Sequence, residues 1–189
     1  MARWATSASA WAPRSGCRTP QPRPRGRQVA PRKGFLAKLT GTREIDLDAS
    51  VVLFAGGHHV DVVFFQQLTS KDGSVQHSGD DLVGGTGQDD ESILVDPQRV
   101  PAQVDQIVFT MNSFTGQTSE EVQNAYRRLI DETTGQELAR DTLTGGGHHT
   151  AQVMAKVYRS GGGWQMAALG ELAAGRTCQD LLPAITRHL

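Results

Sequence analysis

The chain is poor in everything that staples or anchors a protein. It holds two cysteines in 189 residues, Cys17 in one terminal segment and Cys178 near the other end. Neither a structural disulfide nor a cysteine-ligated zinc site is therefore expected, and a reducing cytoplasm is the compartment that fits. No apolar run approaches the roughly eighteen residues that mark a membrane helix. Ala8-Ser9-Ala10 has the form of a signal-cleavage site, but no apolar region accompanies it, so secretion is not expected either. Apolar residues make up 38% and aromatics 6%, against 21 glycines, which suits one loop-rich domain with a real core. A phosphate-cradling glycine motif is also missing, since the Gly84–Gly87 run stands among acids that would repel a phosphate unless a metal intervened.

Acid is absent from residues 1–34, which carry eight of the nineteen Arg and Lys residues. The remaining eleven bases face all twenty acids, so a basic tail precedes a strongly acidic body behind a net charge of −1. Pro13, Pro20, Pro22, Pro24 and Pro31 interrupt the tail, and no apolar periodicity runs through it. It cannot bury enough surface to offset the entropy of ordering, so residues 1–34 read as a disordered basic tail and 35–189 as the folded domain. A misassigned start or a shifted reading frame would also produce such a tail, and composition leaves both readings open. Nucleic acid is expected to bind only non-specifically, through this tail.

Base is nearly absent from the stretch that follows. Between Glu44 and Asp96 eleven Asp and Glu residues meet one base, Lys71, and most of the acids fall in Asp46-Leu47-Asp48 and in the glycine-rich run Ser70–Glu91. Like charges at this density repel in a folded chain unless a cation sits among them. Hard oxygen ligands on a flexible loop point to calcium before other metals. The spacing is not that of an EF-hand, because Asp72 lacks acids two and four residues later and no Glu stands at the twelfth position.

The body reads mostly as strand. Leu47, Ala49, Val51 and Leu53 alternate with Asp46, Asp48, Ser50 and Val52, which puts both aspartates on the polar side of one strand. Val60–Phe65, Ile93–Val95, Ile107–Phe114, Glu137–Leu143, Ala151–Tyr158 and Trp164–Gly170 are further strand candidates, separated by glycine and proline turns. Ser119–Glu132 has helical spacing, yet Tyr126–Ile130 also suits a strand feeding a Thr134-Gly135 hairpin. The expectation is a short helical turn over Ser119–Gln123 followed by that strand. Thr177–Leu189 is expected to be a short helix capped by Thr177, with Leu181, Leu182 and Ile185 facing inward. The fold class is then all-β, a sandwich of two mostly antiparallel sheets with short helical turns and a C-terminal helix.

Ile45-Asp-Leu-Asp-Ala-Ser50, Lys71–Asp80, Asp89-Asp-Glu91, Asn112-Ser-Phe-Thr-Gly-Gln117, Glu137–Arg140 and Thr150–Tyr158 occur in an order that resembles the TerD family of tellurium-resistance and general stress proteins. The Asn112–Gln117 and Thr150–Tyr158 blocks lean toward its TerZ-like branch. The similarity covers roughly residues 32–189. It implies a β-sandwich that binds two calcium ions on clustered aspartates and carries no established enzymatic reaction. Where family members have a strand-forming stretch ending in Gly-Leu-Gly-Trp, this chain has the Arg/Pro-rich segment; if the first strands are absent, one sheet has lost an edge or a core partner. Gln88 and Thr86 replace two customary glycines, and Gln66-Gln67 stands in place of paired asparagines.

On this reading the metal ligands are Asp46, Asp48, Asp72, Asp80, Asp81, Asp89, Asp90 and Glu91, helped by backbone carbonyls of the glycine loop. Glu44 and Asp96 are set aside as surface charges. His77 is expected to hydrogen-bond a neighbouring carboxylate, and His58-His59 and His148-His149 to lie in exposed turns. The leading function is a calcium-binding, non-enzymatic stress-response module. Its ions order the acidic loop and present a surface to other stress and tellurium-resistance proteins, with inner-membrane association through those partners. Two alternatives stay open: a metal-dependent phosphoesterase using the paired aspartates, and a calcium-dependent membrane adaptor aided by the basic tail.

Overall fold

The computed structural model describes residues 2–7, 47–79, 91–113, 116, 126–131, 133–142 and 147–189. Among the described residues ten strands lie in two antiparallel five-stranded sheets. They are β1 (Ala2–Ser7), β2 (Leu47–Ala55), β3 (His58–Val63), β4 (Val75–His77), β5 (Glu91–Val95), β6 (Gln106–Ser113), β7 (Tyr126–Asp131), β8 (Gln136–Thr142), β9 (Ala151–Ser160) and β10 (Gly163–Ala173). One sheet runs β4-β5-β1-β7-β8 and the other β10-β9-β6-β2-β3. The expected sandwich is thus the observed fold.

The two sheets close on a core to which both contribute. Ala49, Val51 and Leu53 of β2, Ile107 and Phe109 of β6, Ile93 and Val95 of β5, Val75 of β4 and Leu129 of β7 are all buried there. The β2–β3 hairpin turns on Gly56 and Gly57 at φ +56° and +79°, the left-handed pair that a two-residue loop between twisted strands requires. His58 and His59 are exposed as expected, but they open β3 instead of lying in its turn.

Strand β2 departs from simple alternation because its second face is covered too. Val52 and Phe54, with Val108 of β6 and Ala151 and Val153 of β9, pack against Cys178, Leu181, Ala184 and Ile185 of the C-terminal segment. Leu181 and Ile185 are fully buried. Two apolar faces explain why Val51-Val52-Leu53-Phe54 is an unbroken apolar run. They also mean that the polar end of the outer face, Asp48 and Ser50, is buried and not solvated.

The C-terminal segment is less helical than its spacing suggests. Only Leu182–Ile185 forms α1, followed by a 3-10 turn over Thr186–His188. Pro183 is tolerated in the first turn, where its missing N–H would have no intrahelical partner. Upstream, Asp180 Oδ2 accepts hydrogen bonds from the Arg176 and Thr177 amides, both at 3.0 Å, and holds a tight turn in place of a further helical turn. Gly175 is required beneath it, since a Cβ there would stand 2.8 Å from Asp180 Cβ.

Two expectations need correction or restriction. The tail was expected to be disordered from residue 1, yet Ala2–Ser7 forms β1 in the centre of its sheet, paired with β5 on one side and β7 on the other. The first twelve residues contain no proline, and a strand flanked on both sides gains its ladder from backbone groups that composition does not report. The sheet position expected to be lost is therefore filled by β1. Tyr126–Asp131 is a strand, its helical spacing overridden by pairing with β1 and β8, while Ser119–Gln123 lies outside the described residues.

Deleting residues 1–7 should lower the melting temperature by about 10 °C or more, the response of a domain of this size to a loss of roughly 3 kcal/mol. Unchanged melting would show that β1 is dispensable. Truncating Leu181 to Ala, which empties a fully buried site, should cost about 3 kcal/mol in denaturant unfolding.

Candidate metal centre

Two acids of the sequence cluster, Asp48 and Glu91, come to one end of β2, where β3 has already left it. Ladder pairing between β2 and β3 runs from Ala55 back to Val51 and stops. Ala49, two residues further on, has no strand partner on that side among the described residues, and side chains take the strand's place. Glu91 Oε2 accepts the Ala49 amide at 2.7 Å, and His77 Nε2 lies 3.2 Å from the Ala49 carbonyl. The Gly79 amide donates to His77 Nδ1 at 2.9 Å, so Nδ1 is the bare nitrogen and Nε2 carries the proton toward Ala49. His77 and Glu91 come from the two ends of the segment 78–90 and are 3.8 Å apart. They pin both ends of the acidic loop to the same residue of β2.

Asp48 stands beside this pin on the outer face of the sheet and is 7% exposed. Directly across the ladder is Asn112 of β6, so the two side chains project from the same face as near neighbours. Asn112 is 3% exposed, and its Nδ2 donates to the Arg176 carbonyl at 2.7 Å. That contact fixes the amide orientation, because a flip would set oxygen against oxygen. Asn112 Oδ1 is then buried with no hydrogen-bond donor among the described residues. A buried amide oxygen in that state costs about 1–3 kcal/mol.

Of the eight expected ligands, Asp48 and Glu91 are brought to the same end of β2. Asp72 is placed elsewhere. It lies in the turn before β4, whose Val75 pairs with Val95 at the far end of β5 from Glu91, about 13 Å away at the usual rise per residue. Its Oδ1 accepts from Ser70 Oγ at 3.0 Å and from the Ser74 amide at 2.6 Å. Partial burial raises the Asp72 pKa, but the hydrogen bonds from Ser74 and Ser70 together outweigh it and hold the carboxyl below the ordinary aspartate range. Asp46, Asp80, Asp81, Asp89 and Asp90 lie outside the described residues. Among the described residues no group of three His, Cys, Asp or Glu side chains could hold a metal ion.

Asn112 was not foreseen as part of a site. The Asn112–Gln117 block reads from sequence as a capped turn, and a turn does follow, with the Gly116 amide bonded to the Ser113 carbonyl at φ +80°. What sequence does not give is the register that sets Asn112 against Asp48. Oxygen donors of two kinds, carboxylate and amide, are the chemistry of a hard divalent cation. They do not form a general acid–base pair, since both nitrogens of His77 are engaged with backbone.

A family model described as the TerD domain matches residues 22–182. The chain belongs to the TerD domain family. It is 45% identical over 152 residues to the tellurium resistance protein TerZ of Serratia marcescens, covering 79% of this chain and 78% of that one. The tellurium resistance protein TerD of the same organism is 36% identical over 75% of this chain and 79% of its own. The stress response protein SCP2 of Bacillus subtilis is 35% identical, with 79% and 80% covered. Among solved structures, a homologue of telluride resistance protein (TerD) from Streptomyces coelicolor superposes with a TM-score of 0.71, covering 98% of this chain and 96% of that one at 14% identity. That last likeness is one of fold. This TerD-family chain is thus a member of the tellurium-resistance and stress-response proteins, nearer in sequence to TerZ than to TerD of Serratia.

Because the Asp72 pKa is lowered in the folded state, its contribution to stability is present above the unfolded value near 3.9 and lost as pH falls through the folded one. Asp72→Asn should therefore flatten the acid limb of the stability profile below about pH 4 while leaving cation binding unchanged. A loss of cation binding in that variant would contradict the separation of Asp72 from the β2 site.

Proposed function

We propose that this TerD-family chain is a calcium-binding, non-enzymatic stress-response module that works in the cytoplasm. The observation that carries the reading is Asn112 Oδ1, which has no donor among the described residues and belongs to a buried side chain directly across the ladder from the buried Asp48. A divalent cation supplies what Asn112 Oδ1 lacks, a positive partner in a place water barely reaches, and Asp48 beside it adds a carboxylate oxygen. Asp48, Asn112 and Glu91 would contribute to its shell, and Asp46, Asp80, Asp81, Asp89 and Asp90 are the sequence neighbours able to complete one or two sites. Two ions would also offset the charge density of the acidic loop, whose ends His77 and Glu91 already fasten.

The work assigned to the site is ordering. A cation drawn to the end of β2 gives the loop between His77 and Glu91 a fixed course, and the ordered loop becomes the surface on which other stress and tellurium-resistance proteins dock. Inner-membrane association then comes through those partners. Among the described residues no helix is long and apolar enough to cross a membrane. The names of the relatives place them in resistance and stress response, and none names a reaction.

Calorimetric titration with calcium, magnesium and zinc tests the reading. Calcium should bind with measurable heat, and at free calcium a hundredfold above the dissociation constant it should stabilise the fold by about 2.7 kcal/mol. Asp48→Asn and Asn112→Leu should each weaken calcium tenfold or more without unfolding the chain. No heat and no thermal shift with calcium would overturn it, and preference for zinc would overturn the choice of metal.

A further inference from the structure

We propose that cation binding at the end of β2 is coupled to the docking of the C-terminal segment 174–189, with Asn112 as the shared residue. The inference rests on the calcium reading of the site and adds a second event to it. One amide serves both: Oδ1 is buried with no donor among the described residues, on the residue directly across the ladder from Asp48, and Nδ2 holds the Arg176 carbonyl at 2.7 Å. Drawing electron density from Oδ1 to a cation polarises the amide and strengthens the N–H that fastens Arg176. It also fixes the side-chain orientation in which that hydrogen bond is made.

The place where Asn112 grips is the hinge of the segment. Thr150 Oγ1 donates to the Gly175 carbonyl and accepts from its amide, both at 3.1 Å, one residue before the Asn112 contact. Arg176 itself lies against Gly116, its Nη2 3.4 Å from where a Cβ would stand, on the turn that follows β6. Beyond this hinge the segment lays Leu181, Ala184 and Ile185 on the outer face of β2, β6 and β9. Its far end is tied separately, by Glu171 to Arg187 and His188 and by Lys156 Nζ to the His188 carbonyl. Loosening the hinge therefore frees the first part of the segment, residues 174–182, and opens the edge of an apolar face while the last turn stays fastened. Such an opening would let cation occupancy decide whether that face is covered.

Hydrogen exchange of the full chain, with calcium chloride or with chelator, reads the coupling directly. Calcium should slow exchange of the amides of residues 175–182 by fivefold or more, the lower range of ordinary coupling between sites. Asn112→Asp keeps an oxygen for the cation and removes the donor, so it should bind calcium yet lose that slowing. By reciprocity, Thr150→Val, which loosens the hinge without touching the site, should weaken calcium binding by a similar factor. Calcium binding with unchanged exchange in 175–182, or an unchanged affinity in Thr150→Val, overturns the coupling and leaves the metal site standing. Failure to bind calcium at all overturns both.

Discussion

The structure depends on a strand that is buried on both faces. β2 packs Ala49, Val51 and Leu53 into the space between the sheets and Val52 and Phe54 under the C-terminal segment. Because every residue from Asp48 to Phe54 is buried, the polar end of the strand is not solvated either. Asp48, Ser50 and, across the ladder, Thr110 and Asn112 are shielded along with the apolar residues beside them. A carboxylate in that setting needs a counter-charge or several donors. The proposed cation site is in this sense a consequence of packing: the double coverage that stabilises the sandwich leaves Asn112 Oδ1 buried with no donor among the described residues.

A second constraint follows where β3 ends short. Each buried backbone group of β2 must find a partner, and on the β3 side no strand supplies it beyond Val51 among the described residues. Glu91 and His77 do so with side chains, which ties the two ends of the acidic segment to the strand that carries Asp48. His77 is consumed by this task at both nitrogens.

Much of the fold was legible because its strands are short, β-branched and punctuated by glycine. The TerD resemblance, the sandwich and most strands follow from those runs, and the Gly56-Gly57 and Thr134-Gly135 turns stand where their residues put them. Three features were hidden for physical reasons. β1 is stabilised by backbone pairing on both sides, and the prolines that follow it dominate the composition of the segment. The C-terminal helix shrinks to one turn because Gly175 and Asp180 commit the preceding residues to a tight bend. In the site, Asp72 and Asp48 look alike as loop and strand acids, and only the course of β4 and β5 separates them. Asn112 emerges solely from register, which a single sequence does not encode in any local pattern.

The central claim is that a cation joins Asp48 to Asn112. A crystal structure grown in calcium tests it most directly. The account predicts an anomalous peak on the outer face at the end of β2, with Asn112 Oδ1 and an Asp48 oxygen within about 2.3–2.6 Å of the ion. A well-ordered acidic loop with only water, or a protein donor, at Asn112 Oδ1 would contradict it.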